Sequence, residues 1–278
     1  FGAESTVTSP GKFVREMWND LRQSRQLAGM LAFRDLKAQY RQSFLGWFWL
    51  VIPPIAWTIG MTVLRRNNLA DLGKTDIYYP AYVLIGMSMW QMFTAALRGP
   101  MNAMTMNKGI LTKVRFPREA IILADLMKLS VEIVVYLLLI VGAFVWYQIP
   151  VSGWTLLFPF AYMVLVLLGT TVGLFLAPIG LLYRDIGSML PYLIMAGLVI
   201  TPVLFPMPGP ENDGIYAAVV RANPVTPVLV TARELATSQP LTQFPQFLLV
   251  TVLTLGALVL AMALLRAATP QIVERWSS

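Results

Sequence analysis

The 278 residues contain no cysteine and no histidine. The first absence excludes a disulfide framework, a thiol nucleophile and any thiolate metal site. The second removes the commonest general base and the commonest metal ligand, so neither a metal centre nor histidine catalysis is expected. Charge is scarce too: Asp, Glu, Lys and Arg make up 13% of the chain against 57% hydrophobic residues, and the mean hydropathy is +0.65. A water-soluble domain needs more polar surface than that, so the composition implies a bilayer as solvent. No repeat, low-complexity tract or long linker divides the chain, which reads as one domain over 1–278. No signal peptide is expected, because about 45 mostly polar residues precede the first apolar run.

What the sequence does have is long apolar runs. A helix of about 20 apolar residues crosses the hydrocarbon core. Six runs qualify, at 46–64, 79–97, 121–147, 154–182, 189–206 and 245–266. They predict an all-α integral membrane protein with six transmembrane helices. The fifth run carries Pro191, Pro202 and Pro206 and is expected to be kinked or broken. After it, 215–222 and 225–236 are too short to span and read as short external re-entrant or interfacial helices. The basic residues favour both termini in the cytoplasm: fifteen fall in 1–45, 98–118, 183–188 and 266–278, and five in the outer segments. The net charge of +7 thus reflects topology and contact with anionic membrane lipid, and no nucleic-acid partner is expected.

Several segments are candidates for function. As a helix, 27–44 gathers Met30, Phe33, Leu36, Tyr40 and Phe44 on one arc, with Lys37 and Arg41 beside it and Asp35, Ala38, Gln39 and Gln42 facing away. That is the profile of a helix lying in the membrane interface, either as a simple anchor or as a docking element for a cytoplasmic partner. The polar loop 107–119, NKGILTKVRFPRE, is basic yet contains Ile110, Leu111, Val114 and Phe116, more apolar surface than a solvated loop needs. Asp125, Lys128 and Glu132 share one face of the third span, where Lys128 can pair with both carboxylates. Such a triad is either structural or an ion relay. Gly169, Gly173, Ala177 and Gly180 form a small-residue stripe for close helix packing. Trp49, Trp57, Tyr82, Trp90 and Tyr192 are aromatic candidates for stacking on sugar rings, against the ordinary alternative of packing on lipid. Gly73-Lys74-Thr75 is no nucleotide loop: Asn68 stands where the pattern needs its first glycine, and no other Walker-like stretch exists.

Two stretches carry a resemblance. RDLKAQYRQSFLGWFWLVIPP at 34–54 and LTKVRFPREAII at 111–122, followed by YRDI at 183–186 and NP at 223–224, resemble the permease subunits of ABC-2-type polysaccharide exporters, including O-antigen and teichoic acid exporters. The resemblance implies a homodimer of permeases joined to two soluble ABC ATPase subunits, in a bacterial cytoplasmic (inner) membrane. ATP and Mg would be bound on those subunits and no cofactor on this chain, which would be a transport subunit and no enzyme itself. The cargo would be a lipid-linked glycan.

Carried onto this chain, the resemblance assigns Arg34, Asp35, Lys37, Tyr40 and Arg41 to an interface helix. It assigns Lys108, Gly109, Leu111, Lys113, Arg115, Phe116 and Pro117 to an ATPase-coupling loop. Asn223 and Pro224 fall in the external re-entrant segment, and Arg184 and Asp185 mark an inner-end motif. The aromatic set above would line the glycan path. Arg65-Arg66, at the end of the first span, departs from the family pattern. A drug or lipid ABC-2 permease and an ion-coupled secondary carrier are the alternatives.

Overall fold

A computed structural model describes residues 10–41, 46–69, 73–109, 118–209, 211 and 214–277. Every regular element among them is helical. Helix α1 covers Pro10–Arg41, α2 Phe48–Arg66, α3 Tyr79–Met106 and α4 Arg118–Tyr147. A short 3₁₀ turn at Gly153–Leu157 leads into α5 (Phe158–Leu182), followed by α6 (Arg184–Ile200), α7 (Ile215–Ala222), α8 (Val225–Ala236) and α9 (Phe244–Ser277).

Among the described residues four helical stretches are long and apolar enough to cross a membrane: Phe48–Arg66, Ala120–Tyr147, Gly153–Leu182 and Phe244–Ala268. Counting the bent pair α7–α8 as one span makes five. The two remaining expected spans depart from that standard for physical reasons. Helix α3 is less apolar because protein encloses it: Tyr82, Ile85, Met89, Trp90, Phe93 and Leu97 are all buried. A helix shielded on all sides need not be lipid-compatible all round. Helix α6 has 17 residues, about 26 Å of rise. It stops at Ile200 because Pro202 follows, which drives Thr201 into extended backbone (φ −113°, ψ 138°). The expected run 189–206 is therefore a helix ending early plus a non-helical strap, 201–206.

Prolines elsewhere do different work. Pro80 and Pro159 sit in the first turns of α3 and α5, where a missing N–H costs nothing. Pro53 and Pro54 leave the carbonyls of Trp49 and Leu50 without their helical donors, yet α2 continues unbroken to Arg66. Gly46, at φ +49°, takes a left-handed turn just before α2 that a side chain would strain.

The core is α3 packed on α5, with α4, α2, α8 and α9 around them. The small-residue stripe on α5 explains how closely they approach. A Cβ at Gly169 would fall 2.6 Å from the Phe93 carbonyl oxygen, and one at Gly173 would strike the Leu97 carbonyl group. Helix α1 packs on α4 through Ala28, Leu31 and Ala32, which meet Leu123, Ala124 and Met127, and Ser24 is buried one turn earlier. The expected apolar arc points the other way: Met30 and Phe33 are 61% and 70% exposed. The face opposite that arc is thus a protein contact, and the seam of small residues marks it.

Candidate functional site

Two polar cavities lie at opposite ends of α3. At its C-terminal end, α1, α3 and α4 enclose about 480 Å³, lined by Asp35, Arg98, Asn102, Asp125, Lys128 and Glu132 among others. The helical spacing on α4 does bring the three predicted charges to this one cavity. Lys128 Nζ stands 3.6 Å from the Asp125 carboxylate, but no ion pair to Glu132 forms among the described residues. Asp125 is buried and presses its carboxylate against α3 at Gly99, where a Cβ would collide with it. Arg98 enters from α3, and its buried Nε has no hydrogen-bond acceptor among the described residues. Charges of both signs with room between them can hold water or pass a proton. No group of three or more acidic side chains among the described residues could hold a metal ion.

Beside this cavity Arg34 links α1 to α3. Its Nη2 donates to Asp35 at 2.7 Å and to Asn107 Oδ1 at 2.9 Å, while the buried Asn107 donates back to the Ala103 carbonyl at 2.9 Å. Lys37 and Arg41 are exposed on the last turns of α1. Lys108 and Gly109 follow directly on α3. The remaining predicted coupling residues, Leu111, Lys113, Arg115, Phe116 and Pro117, lie outside the described residues, as do the side chains of Tyr40 and Arg184. Asp185 is exposed in the first turn of α6, where a carboxylate favours the helix N-terminus.

At the other end of α3 the strap 201–206 is held by side chains. Non-helical carbonyls inside a membrane protein need donors, and three residues supply them. Tyr79 Oη donates to Leu204, Tyr82 Oη to Pro202 and Phe205, and Arg233 Nη2 to Val203, at 3.0–3.3 Å. The Arg233 guanidinium also lies over the Tyr82 ring, 3.7 Å from its centre. Gly86 makes this possible, since a Cβ there would be 2.5 Å from Arg233 Nη2 and 2.7 Å from the Val203 oxygen. Arg65, one of the pair that breaks the family pattern, ties the loop after α2 to this end: it bonds Thr75 and Gly73 and covers the Tyr79 ring.

Asn223 and Pro224 form the break between α7 and α8, which bend by 77°. Asn223 Nδ2 donates to Thr201 Oγ1 at 2.8 Å, and its Oδ1 accepts from the Val225 amide at 3.0 Å. One side chain therefore opens α8 and fastens it to the end of α6. Asn223→Ala is expected to cost about 2 kcal/mol, a cap plus a side-chain hydrogen bond, and Asn223→Asp about half as much. Thermal melting of purified protein in detergent checks it; equal midpoints for wild type and Asn223→Ala would refute the role.

The predicted aromatics do not share one surface. Tyr82 and Trp90 are buried, Trp90 against Phe93 and Gly197. Trp49, Trp57 and Tyr192 are exposed, Tyr192 at 77%.

Comparison with known proteins gives the site its context. The chain is 26% identical over 225 residues to the O-antigen export system permease protein RfbA of Myxococcus xanthus, covering 79% of this chain and 82% of that one. It is 23% identical over 207 residues to the Klebsiella pneumoniae protein of the same name, 73% and 76% of the two chains. The chain is a homologue of the polysaccharide-export permeases. The polysialic acid transport protein KpsM of Escherichia coli is a further relative, 22% identical over 207 residues, 73% of this chain and 78% of that one. No family model matches the sequence.

In this permease homologue, sequence reasoning missed Arg98, Asn107 and Arg233 as site residues. Arg98 stands where the apolar run 79–97 ends, so it reads as a loop charge, yet α3 continues to Met106. Arg233 reads as an outer loop charge, yet it is 6% exposed. The available signal was its setting, VTPVLVTARELA, an apolar segment with one cation in it.

Proposed function

We propose that this chain is the membrane-spanning subunit of an ATP-driven exporter that moves a lipid-linked polysaccharide from the cytoplasm across the inner membrane. The observation that carries the reading is similarity, along most of both chains, to O-antigen export permeases and to a polysialic acid transport protein. Two copies form the membrane unit, and two soluble ABC ATPase subunits bind and hydrolyse ATP, with Mg, beneath it. Helices α2, α3, α4, α5, α6 and α9 make six spans with both termini in the cytoplasm, a reading that the distribution of basic residues supports. Helices α7 and α8 are a re-entrant pair on the outer side, and their 77° bend supports this.

The same orientation puts the C-terminal end of α3 on the cytoplasmic side. Residues Lys108 to Pro117 contact the ATPase, and α1 lies along the inner leaflet. Arg34, bonded to Asn107 where α3 ends, supports transmission of ATPase movement from α1 into the core helix. Lys37, Tyr40 and Arg41 belong to the same face of contact with lipid and ATPase, and Arg184 and Asp185 mark the inner turn into α6. Trp49, Trp57 and Tyr192 offer exposed rings to the glycan, while Tyr82 and Trp90, buried in α3, support the helix beside its path.

The test is reconstitution of this chain with its ATPase in liposomes loaded with a lipid-linked glycan. ATP-dependent export is expected, abolished when the ATPase loses its Walker lysine. Transport by this chain alone on an ion gradient would instead favour a secondary carrier working through Asp125, Lys128 and Glu132.

A further inference from the structure

The cavity at the N-terminal end of α3 is separate from the charged cavity at its C-terminal end. It has a volume of about 530 Å³, within the range of small-molecule sites. Its floor is Tyr82, Val230 and Arg233, all buried, and its apolar lining is Pro206, Met207 and Pro208, where the chain leaves the strap. Its rim is polar: Lys74, Asp76, Arg221, Glu234, Gln243 and Gln246.

The chemistry of the rim narrows the ligand. Two cations, Lys74 and Arg221, balance two carboxylates, Asp76 and Glu234, at this rim, so neither a strongly anionic nor a strongly cationic ligand is selected. The guanidinium of Arg233 is engaged by Val203 and Tyr82, and the carboxylate of Glu234 by the amide and hydroxyl of Thr242. By contrast, the side chains of Lys74, Asp76, Gln243 and Gln246 make no hydrogen bond to any described residue. Together they offer a cationic donor, an acceptor-only carboxylate and two amides that both donate and accept. Pro206, Met207 and Pro208 add apolar surface to the same cavity. A ligand matching both kinds of surface carries several hydroxyl groups, each donor and acceptor, around one edge and C–H groups on its face. A pyranose ring has this form.

We infer that this cavity is a binding subsite for a single sugar unit, occupied by the exported glycan as it passes the outer end of the bundle. The inference rests on the export reading for its cargo, but the sugar contact itself is a property of this chain alone.

The experiment is saturation-transfer NMR on the full chain in nanodiscs. The probes are free glucose, galactose, mannose, rhamnose and N-acetylglucosamine at millimolar concentration, with glycerol as the control polyol. At least one pyranose is expected to receive saturation where glycerol does not. In the double variant Gln243→Leu, Gln246→Leu the affinity should fall about tenfold, as expected for losing one or two hydrogen bonds. Both side chains lie at the rim, and the thermal midpoint of the variant verifies that it folds. A signal from none of the five sugars, or an unchanged signal in the folded variant, overturns the subsite. Export that continues in the absence of any sugar binding removes the subsite and leaves the exporter standing. Sugar binding in protein that exports nothing with its ATPase removes the exporter and leaves the subsite.

Discussion

Gly173→Leu in α5 is expected to lower the melting temperature by about 10 °C or more. The Cβ alone would strike the Leu97 carbonyl oxygen and come within 3.1 Å of the Leu97 carbonyl carbon and Pro100 Cδ. These are backbone and ring atoms of α3, which cannot rotate aside as a flexible side chain would. Relief requires α3 and α5 to separate, and this contact is the centre of the core. Overpacking of a tight core costs about 1–3 kcal/mol, and the upper end or beyond applies where backbone is the obstacle. In a chain of this size 3 kcal/mol corresponds to a fall in melting temperature of about 10 °C. Fluorescence-detected gel filtration after heating gives the readout. Gly142→Ala, whose Cβ meets nothing within 4 Å, is the control and should elute as wild type. A Gly173→Leu protein that elutes and melts like wild type would remove the close approach as a source of stability.

The second large effect is at the charged cavity. Asp125→Ala removes the ion-pair partner of Lys128, whose side chain is 16% exposed, and leaves that enclosed cation with only the more distant carboxylates of Glu132 and Asp35 in its cavity. Breaking a buried pair from one side costs about 3–5 kcal/mol, whereas replacing both charges by apolar groups is often neutral. Asp125→Ala should therefore lower stability severely, and Asp125→Leu combined with Lys128→Met should restore most of it. The same double variant separates the two readings of the triad. If the pair is structural, ATP-driven export survives in the double variant at close to the wild-type rate. If export stops while the protein still melts as wild type, the charges move ions or protons and the structural reading is lost.

Legibility differed sharply between parts of the chain. The boundaries of α7 and α8 were readable because both pieces end in the sequence itself. Asn223-Pro224 breaks them apart, and the hydrophobic stretch is too short on either side. The stripe on α5 was equally plain, since small residues at every fourth position, Gly169, Gly173 and Ala177, have few uses except close packing. The early end of α6 was half legible: its prolines predicted a break, but not that Tyr79, Tyr82 and Arg233 would hold the strap beyond it. Those three donors come from helices about 120 and 30 residues away in sequence, and no local pattern pairs them with Pro202–Phe205.

The sequence by itself determined the solvent, the helical class, the apolar runs and the kinship with export permeases. Each of these depends on transfer of local segments into a bilayer or on motifs that lie within one short stretch. The tertiary structure alone decided which side of each helix meets protein. In water an apolar stripe points inward, but lipid is as apolar as a protein core, so Met30 and Phe33 can face out while Ala28 and Ala32 pack on α4. It alone also put Arg98 with Asp125 and Lys128, and Arg233 over the Tyr82 ring, because each cavity is closed by helices remote in sequence. Polar groups at these depths are stable only where such partners converge, and convergence is a property of the folded bundle.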